Sequence, residues 1–308
     1  MRVHFDNVNF GSTSGPNTFA NRLARGLFES GHEVLEASAG ADASLVFIEP
    51  SGAPLASRVV QRLDGVWFSP SEFHTKNAAI KRLYDVADAV VFQSEFDKSF
   101  VTRWWGSKPG AVIGNGISLL PVERLTLGLL IEMRQRYKTM FCCSSNWHAQ
   151  KRLAANLELF YHLNSTCCPN SCLIIMGHNP DKRSSHPHVF YAGSESHDVC
   201  AEVYSACNWM LHLAWLDHCP NVVVEALAQG TPVICSEAGG TKELVGGYGL
   251  VLKEAKEYDY SLVEYDKPPA IDVKQVSSLP PKATLGAHGD IDIKNVVKKY
   301  VSLLQENT

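Results

Sequence analysis

One stretch of the chain carries most of the structural information: LDHCPNVVVEALAQGTPVICSEAGG, residues 216–240. Pro220 suits the first position of a helix and Gly230 the position just past its end, so the spacing predicts a helix over residues 221–229. The apolar run at 232–235 then predicts a short buried strand. Helix, tight turn and strand in this order are typical of one unit of an α/β fold.

Glu225 is the only residue between positions 222 and 228 that is not apolar. A helix of this composition is buried on most sides, and a carboxylate within it needs hydrogen-bond donors. Those donors are the hydroxyls of a ligand, an internal arginine or the backbone. After the next strand, Gly239 and Gly240 either let the backbone approach a ligand closely or form a plain turn.

Short apolar runs that fit buried strands recur along the chain, and segments with helical apolar spacing lie between several of them. The runs are residues 45–48, 89–92, 111–113, 172–175, 209–212 and 232–235. Strands that alternate with helices predict parallel sheets with right-handed crossovers. The series runs twice, which predicts an α/β protein with two domains.

The domain boundaries follow from where each series ends. We expect a first domain over 1–118, a linker over 119–137, a second domain over 138–290 and a closing helix over 291–308. Within the second domain, 253–290 is poor in periodicity and contains two Pro-Pro pairs, so irregular surface chain is expected there. The closing helix is predicted by one apolar stripe of residues, namely Ile293, Val296, Val297, Tyr300, Val301 and Leu304.

Composition and charge exclude several classes of protein. The 308 residues are 45% hydrophobic and 19% charged, as in ordinary globular proteins, and the net charge is -4. Because no basic arm is present, neither a nucleic-acid partner nor stable membrane association is expected. The chain start lacks a signal-peptide pattern, so a cytoplasmic protein is expected. Nine cysteines without a Cys-x-x-Cys motif indicate reduced thiols and no metal site.

The first candidate site is the loop GSTSGP at residues 11–16, which follows a predicted strand and opens a helix that Gly31 ends. The small residues around Ser14 and Gly15 expose backbone N–H groups and the positive end of the helix to a bound group. The loop has neither the dinucleotide fingerprint nor the phosphate-loop pattern, and a tight turn without a ligand is the alternative.

The second candidate site is the cationic pair Lys151 and Arg152, which follows a strand and loop at 141–148. At the start of a helix the dipole disfavours cations, so these residues are badly placed for stability. They are well placed for an anion at the carboxyl end of the strand, where α/β sheets bind ligands. Two solvated basic residues are the alternative.

At these positions the sequence resembles the retaining glycosyltransferases of family four, which have two Rossmann-like domains in the GT-B arrangement. The similarity rests on the stretch 219–240, on the acidic pair Asp217 and Glu225, on the loop 11–15, on 90–96, on Asn115-Gly116, and on 145–147 leading to Lys151. The resemblance implies a metal-independent transfer of a hexose from a UDP-, GDP- or ADP-hexose to a hydroxyl acceptor, a glycan or a small molecule, with retained anomeric configuration.

The resemblance also implies roles for single residues. The counterpart of Glu225 binds the ribose of the donor, and that of Lys151 contacts its diphosphate. Asp217 and the loop through Cys219, Pro220 and Asn221 would hold the sugar ring. The remaining positions expected at the donor are Ser14, Gly15, Gly239 and Gly240.

Two departures from the family pattern stand out. Asp217 occupies a position where glutamate is usual, and Asn146 stands where many members have an arginine, which leaves Arg152 as the expected substitute.

The acceptor side of the site is expected in the first domain. Within 62–67, Asp64 is the expected catalytic residue on the acceptor side. The first domain is short, so a compact acceptor site is expected. Two alternatives remain open. One is a non-catalytic protein that binds nucleotide sugars or glycans, and the other is a sugar-nucleotide epimerase of the same fold.

Overall fold

The computed structural model describes residues 1–119, 121–178, 183–280 and 290–306. Its first sheet has six parallel strands in the order β2-β1-β3-β4-β5-β6. The strands are β1 (Arg2–Asp6), β2 (Glu33–Leu35), β3 (Ala43–Phe47), β4 (Val59–Arg62), β5 (Ala89–Phe92) and β6 (Gly110–Val112). The helices that accompany them are α1 (Gly15–Glu29), α2 (Phe73–Lys76), α3 (Ala78–Val86) and α4 (Glu95–Trp105).

The second sheet also has six parallel strands, in the order β12-β11-β10-β7-β8-β9. The strands are β7 (Thr139–Ser144), β8 (Ser171–Met176), β9 (Val189–Gly193), β10 (Trp209–His212), β11 (Val233–Ser236) and β12 (Gly249–Leu252). Its helices are α5 (Gly128–Arg136), α6 (Leu153–Thr166), α7 (His197–Ala206), α8 (Asn221–Ala228) and α9 (Thr241–Val245). The two parallel sheets confirm the predicted α/β class with two Rossmann-like domains.

Part of the predicted linker 119–137 is helical. Helix α5 occupies its second half, and Leu130 and Met133 are buried in the core of the second domain. Both side chains reach this core because they lie three residues apart and therefore share one face of the helix. Helix α5 therefore packs on the second domain.

The chain returns to the first domain in its last helix, α10 (Ile293–Gln305). Val297 and Tyr300 are buried in the same core as Leu23 of α1. A Cβ added at Gly26 would lie only 2.7 Å from Val297 Cγ2, so the close approach of α1 and α10 depends on this glycine. The predicted apolar stripe thus forms the helix that was expected, and its partner is the first domain.

The segment 253–280 is irregular apart from a 3-10 turn at Val273–Gln275. The rest of the predicted irregular stretch, 281–289, lies outside the described residues. This segment also crosses to the first domain, where the Tyr265 ring stacks on Phe68 and the Trp104 indole N–H donates to the Tyr260 carbonyl at 3.0 Å. None of the described helices is long and apolar enough to cross a membrane.

Candidate functional site

A cleft of about 480 Å³ lies between the two domains, at the carboxyl ends of both sheets. Small-molecule sites have volumes of roughly 300–1,000 Å³, and open parallel sheets bind ligands at this edge. The first domain contributes residues such as Gly15, Thr18, Arg62, Asp64 and Asn115 to the walls, and the second domain contributes Asn146, Lys151, His212, Asp217, His218, Cys219, Asn221 and Glu225.

Asp217 is held by two side chains of its own domain. Its Oδ2 atom lies 2.5 Å from Lys151 Nζ and 3.2 Å from His212 Nε2. Burial opposes ionisation of Asp217, but Lys151 and His212 outweigh it and hold the pKa of this carboxyl well below its usual value. Burial lowers the pKa of His212, and the nearby Asp217 carboxylate offsets only part of that decrease. The arrangement is a carboxylate that stays ionised beside an ammonium group.

The glycine pair lies behind the Asp217 loop. A Cβ at Gly239 would lie 2.7 Å from Asp217 O, and one at Gly240 would clash with His218 O. The φ of Gly239 is +115°, a conformation that favours glycine. Leu216, just before Asp217, also has a positive φ, of 55°. The close approach expected at a ligand is therefore made to the protein's own backbone, and it fixes the position of Asp217.

Glu225 receives its main partner from the other domain. Arg22 of α1 donates from Nη2 to Glu225 Oε1 at 2.5 Å, and His197 Nδ1 lies 3.8 Å from the same oxygen. Glu225 lines the cleft, with 12% of its side chain exposed. The arginine that the sequence left open as a partner is thus present, but it comes from the first domain.

The start of α8 is tied to the first domain in two further places. Asn221 donates from Nδ2 to the Gly15 carbonyl at 2.9 Å. Asn115 donates from its backbone N–H to Cys219 Sγ at 3.2 Å and from Nδ2 to the Cys219 carbonyl at 2.8 Å. Burial raises the pKa of Cys219 to about 12, so this residue stays a thiol. Pro220 immediately precedes the helix and leaves the N–H of Asn221 as its first donor.

The N-terminal loop contributes less to the cleft than its composition indicated. Gly15 lines the wall, but the Ser14 hydroxyl accepts a hydrogen bond from Asn17 Nδ2 at 2.9 Å. Ser14 is thus turned toward the first turn of its own helix. The positive end of α1 nevertheless faces the cleft at Gly15.

Asp64 lies in the first-domain wall of the cleft, where it forms an ion pair with Arg62 and accepts from Gln93 Nε2 at 2.6 Å. Arg62 is 1% exposed, and its guanidinium also donates to Asn115 Oδ1 at 2.6 Å. Burial lowers the pKa of Arg62. A buried cation of this kind needs such partners, and together they fix the carboxylate of Asp64.

Arg152 does not reach the cleft, and its expected role as a substitute for the missing family arginine is not supported. Its φ is +50°, so its side chain leaves the turn in a different direction from that of Lys151. The guanidinium makes two hydrogen bonds to the Glu254 carboxylate, at 2.6 and 3.0 Å, and a third to the Pro269 carbonyl at 2.8 Å. Arg152 therefore anchors the irregular segment to the second domain.

Two histidines lie at the site: His218, which the sequence offers as a candidate because it is beside Asp217, and His212, which the sequence favours as a core residue. The apolar surroundings of His212 are typical of a core residue, and it is buried, yet its Nε2 faces Asp217. His218 packs against Gly65, and its Nδ1 lies 3.3 Å from the buried carboxylate of Asp97 in the first domain. The sequence feature that could have placed His212 at the site is its position, because it ends a strand at the edge of the sheet where ligands bind.

The described part of the chain contains no group of three or more His, Cys, Asp or Glu side chains arranged to hold a metal ion.

Comparison with known proteins agrees with this geometry. Residues 137–263 match the sequence model of the family described as "Glycosyl transferases group 1". The whole fold is similar to that of HepE from Anabaena, solved with UDP-glucose, with 14% identity, 99% of each chain covered and a TM-score of 0.66. Sucrose-phosphate synthase from Thermosynechococcus elongatus has 14% identity, 98% of each chain covered and a TM-score of 0.68.

The chain is also similar to WaaG, a glycosyltransferase of lipopolysaccharide biosynthesis, with 13% identity, a TM-score of 0.63, and coverage of 100% of this chain and 96% of that one. No protein of curated function matches the sequence significantly. Similarities at this level of identity concern the fold, and they confirm the expected GT-B arrangement of two Rossmann-like domains.

Proposed function

We propose that this protein is a glycosyltransferase that moves a hexose from a UDP-, GDP- or ADP-hexose to a hydroxyl acceptor, with retained anomeric configuration and without a metal ion. The observation that carries the proposal is the Lys151–Asp217 ion pair, which lies in the same cleft as the partly buried carboxylate of Glu225. Both carboxylates lie in the part of the chain that matches the family.

The cleft offers a complementary group to the diphosphate, the ribose and the sugar ring of a nucleotide sugar. Lys151 supplies an ammonium group for the diphosphate, and the N-terminus of α8 adds backbone N–H groups. Glu225 accepts hydrogen bonds from the ribose hydroxyls. Asp217, freed by the phosphate from part of its contact with Lys151, accepts hydrogen bonds from hydroxyls of the sugar ring.

Transfer then requires stabilisation of the leaving diphosphate, which Lys151 and the helix N-terminus provide through preorganised positive charge. The bond from the anomeric carbon to the phosphate oxygen breaks, and the acceptor oxygen attacks on the same face through an oxocarbenium-like state. The acceptor proton passes to the departing phosphate oxygen. Asp64 accepts a hydrogen bond from a second hydroxyl of the acceptor and so orients the attacking one. No side-chain nucleophile takes part.

The test begins with ligand binding, because no acceptor has to be known. Purified protein is screened by thermal shift against UDP, GDP, ADP and their common hexose conjugates without added metal, since a ligand of the native state raises the melting temperature. The best donor is then incubated with an acceptor panel, and glycoside products and their anomeric configuration are determined. We expect a shift with one nucleotide series, and its loss in Glu225→Ala but not in Glu158→Ala, an exposed glutamate of α6.

The outcomes separate this proposal from its alternatives. Donor binding without transfer to any acceptor would favour a non-catalytic binding protein, and an epimerised nucleotide sugar formed without acceptor would identify an epimerase. An unchanged titration of Glu225→Ala would contradict the ribose contact. Because HepE from Anabaena was solved in complex with UDP-glucose, UDP-glucose is the first donor to try.

A further inference from the structure

The Arg22–Glu225 contact joins two helices that belong to different domains. Gly15 and Arg22 are seven residues apart on α1, about two helical turns, and so they lie on one face of that helix. Asn221 and Glu225 are four residues apart on α8 and also share a face. Gly15 meets Asn221 and Arg22 meets Glu225, so these two faces are opposed across the cleft.

Within its own domain, Glu225 has little to balance its charge. Its neighbours in α8 are apolar, and His197 is 60% exposed and 3.8 Å away. A carboxylate that is 12% exposed has a large desolvation cost without a donor, and a charged hydrogen bond from a guanidinium offsets it. Arg22 therefore determines where this carboxylate lies.

The geometry leaves half of the carboxylate free. Arg22 and His197 both approach Oε1, and none of the described residues donates to Oε2. An ionised carboxylate has about four acceptor positions on its two oxygens. With Oε1 fixed by the arginine, Oε2 remains available to a pair of ligand hydroxyls.

We propose that Arg22 is a positioning residue of the nucleotide site: it holds Glu225 so that Oε2 meets the ribose hydroxyls, and the site is complete only when the first domain is closed onto the second. The inference rests on the proposed function, in which Glu225 binds the ribose. It adds a first-domain residue to a donor site that otherwise lies in the second domain.

The test compares ribose recognition in matched variants of the full chain. Affinities for UDP, GDP and ADP, and for their 2′,3′-dideoxy analogues, are measured for the wild type, Arg22→Met, Arg22→Lys, Glu225→Gln and the double variant Arg22→Met/Glu225→Gln. Arg25→Met is the control, because Arg25 lies on the same helix with 82% of its side chain exposed. Circular dichroism and melting temperatures establish that each variant is folded.

The expected readout is the ratio of the two affinities. Hydrogen bonds to a charged group make the wild type prefer the ribonucleotide by about tenfold or more. Arg22→Met reduces this preference to below about threefold, and Arg22→Lys retains part of it. In the double variant the preference falls no further than in Glu225→Gln alone, because both changes act on the same contact. A general structural role would weaken both nucleotides equally and leave the ratio unchanged.

Two results overturn the inference, and they differ. If the wild type binds no nucleotide, the proposed function fails and the inference fails with it. If the wild type binds and Arg22→Met keeps the full ribose preference, whether or not it binds more weakly, the inference alone fails. In that case Arg22 only links the two domains.

Discussion

The two carboxylates of the cleft, Asp217 and Glu225, are held in different ways. Asp217 contacts Lys151 and His212, which both belong to its own domain. Glu225 depends on Arg22, which lies in the other domain. Any change in the angle between the domains would therefore leave the Asp217 site intact and separate Glu225 from its partner. The diphosphate end of the proposed site is preformed, and the ribose end is completed by domain closure.

The largest effect is expected at the preformed end. Lys151→Met removes the ammonium group that faces the leaving diphosphate, and loss of one such group costs about 100-fold or more in turnover. The measurement is the rate of hexose transfer at saturating donor. Lys138→Met, which changes an exposed lysine of the same domain, is the control and should transfer at the wild-type rate. A loss of less than about threefold would remove Lys151 from the mechanism.

A smaller and more selective effect is expected for Asp217→Asn. The amide keeps the size of the side chain but loses the charged acceptor for sugar hydroxyls, so kcat/KM for the nucleotide sugar should fall about tenfold or more. Affinity for the free nucleoside diphosphate should not fall, because Lys151 loses a competing carboxylate. Transfer kinetics with the nucleotide sugar and titrations with both ligands check this, with Asp266→Asn as an exposed control. Equal weakening of both ligands would refute the separation of sugar and diphosphate contacts.

At the contact between the two domains, Asn221→Ala removes the amide that donates to the Gly15 carbonyl. A neutral hydrogen bond contributes about 0.5–1.5 kcal/mol, so donor affinity should fall by about two- to tenfold. The same measurement on Asn170→Ala, at an exposed position of the second domain, gives the baseline. If closure of the two domains does not depend on the Asn221–Gly15 hydrogen bond, Asn221→Ala and Asn170→Ala will bind the donor with equal affinity.

The smallest expected effect is a pH dependence at the Asp217 site. Burial keeps the pKa of His212 below its unfolded value, so the unfolded chain takes up a proton at this residue more readily than the native one. Its contribution to stability is present above about pH 6.5 and falls as the pH decreases below that value. Melting temperatures measured from pH 7.5 to 5.5 should fall less steeply in His212→Gln. Parallel curves would contradict this assignment.

The fold and the second-domain half of the site follow from local sequence patterns. The strand at Trp209–His212 and the helix at Asn221–Ala228 lie within one or two residues of their predicted positions, because buried apolar runs and terminal Pro and Gly are local signals. Lys151, Asp217 and Glu225 all lie in the cleft as expected. Asp217 and Glu225 lie in one strand-loop-helix unit, from β10 to α8, and Lys151 follows the neighbouring strand β7.

What the sequence did not show depends on contacts between distant parts of the chain. Arg22 meets Glu225 across 203 residues, and nothing in the periodicity of α1 distinguishes Arg22 from the exposed Arg25. The direction of Arg152 does not follow from its position beside Lys151, because a single left-handed residue turns its side chain away. Such turns depend on tertiary partners, here the Glu254 carboxylate.

The most direct test of the central claim is a crystal structure of the protein with the nucleoside diphosphate that binds best. We expect the diphosphate beside Lys151 and the ribose hydroxyls on Glu225 Oε2, with Arg22 still on Oε1. A nucleotide bound elsewhere, or a ribose that makes no contact with Glu225, would contradict the claim.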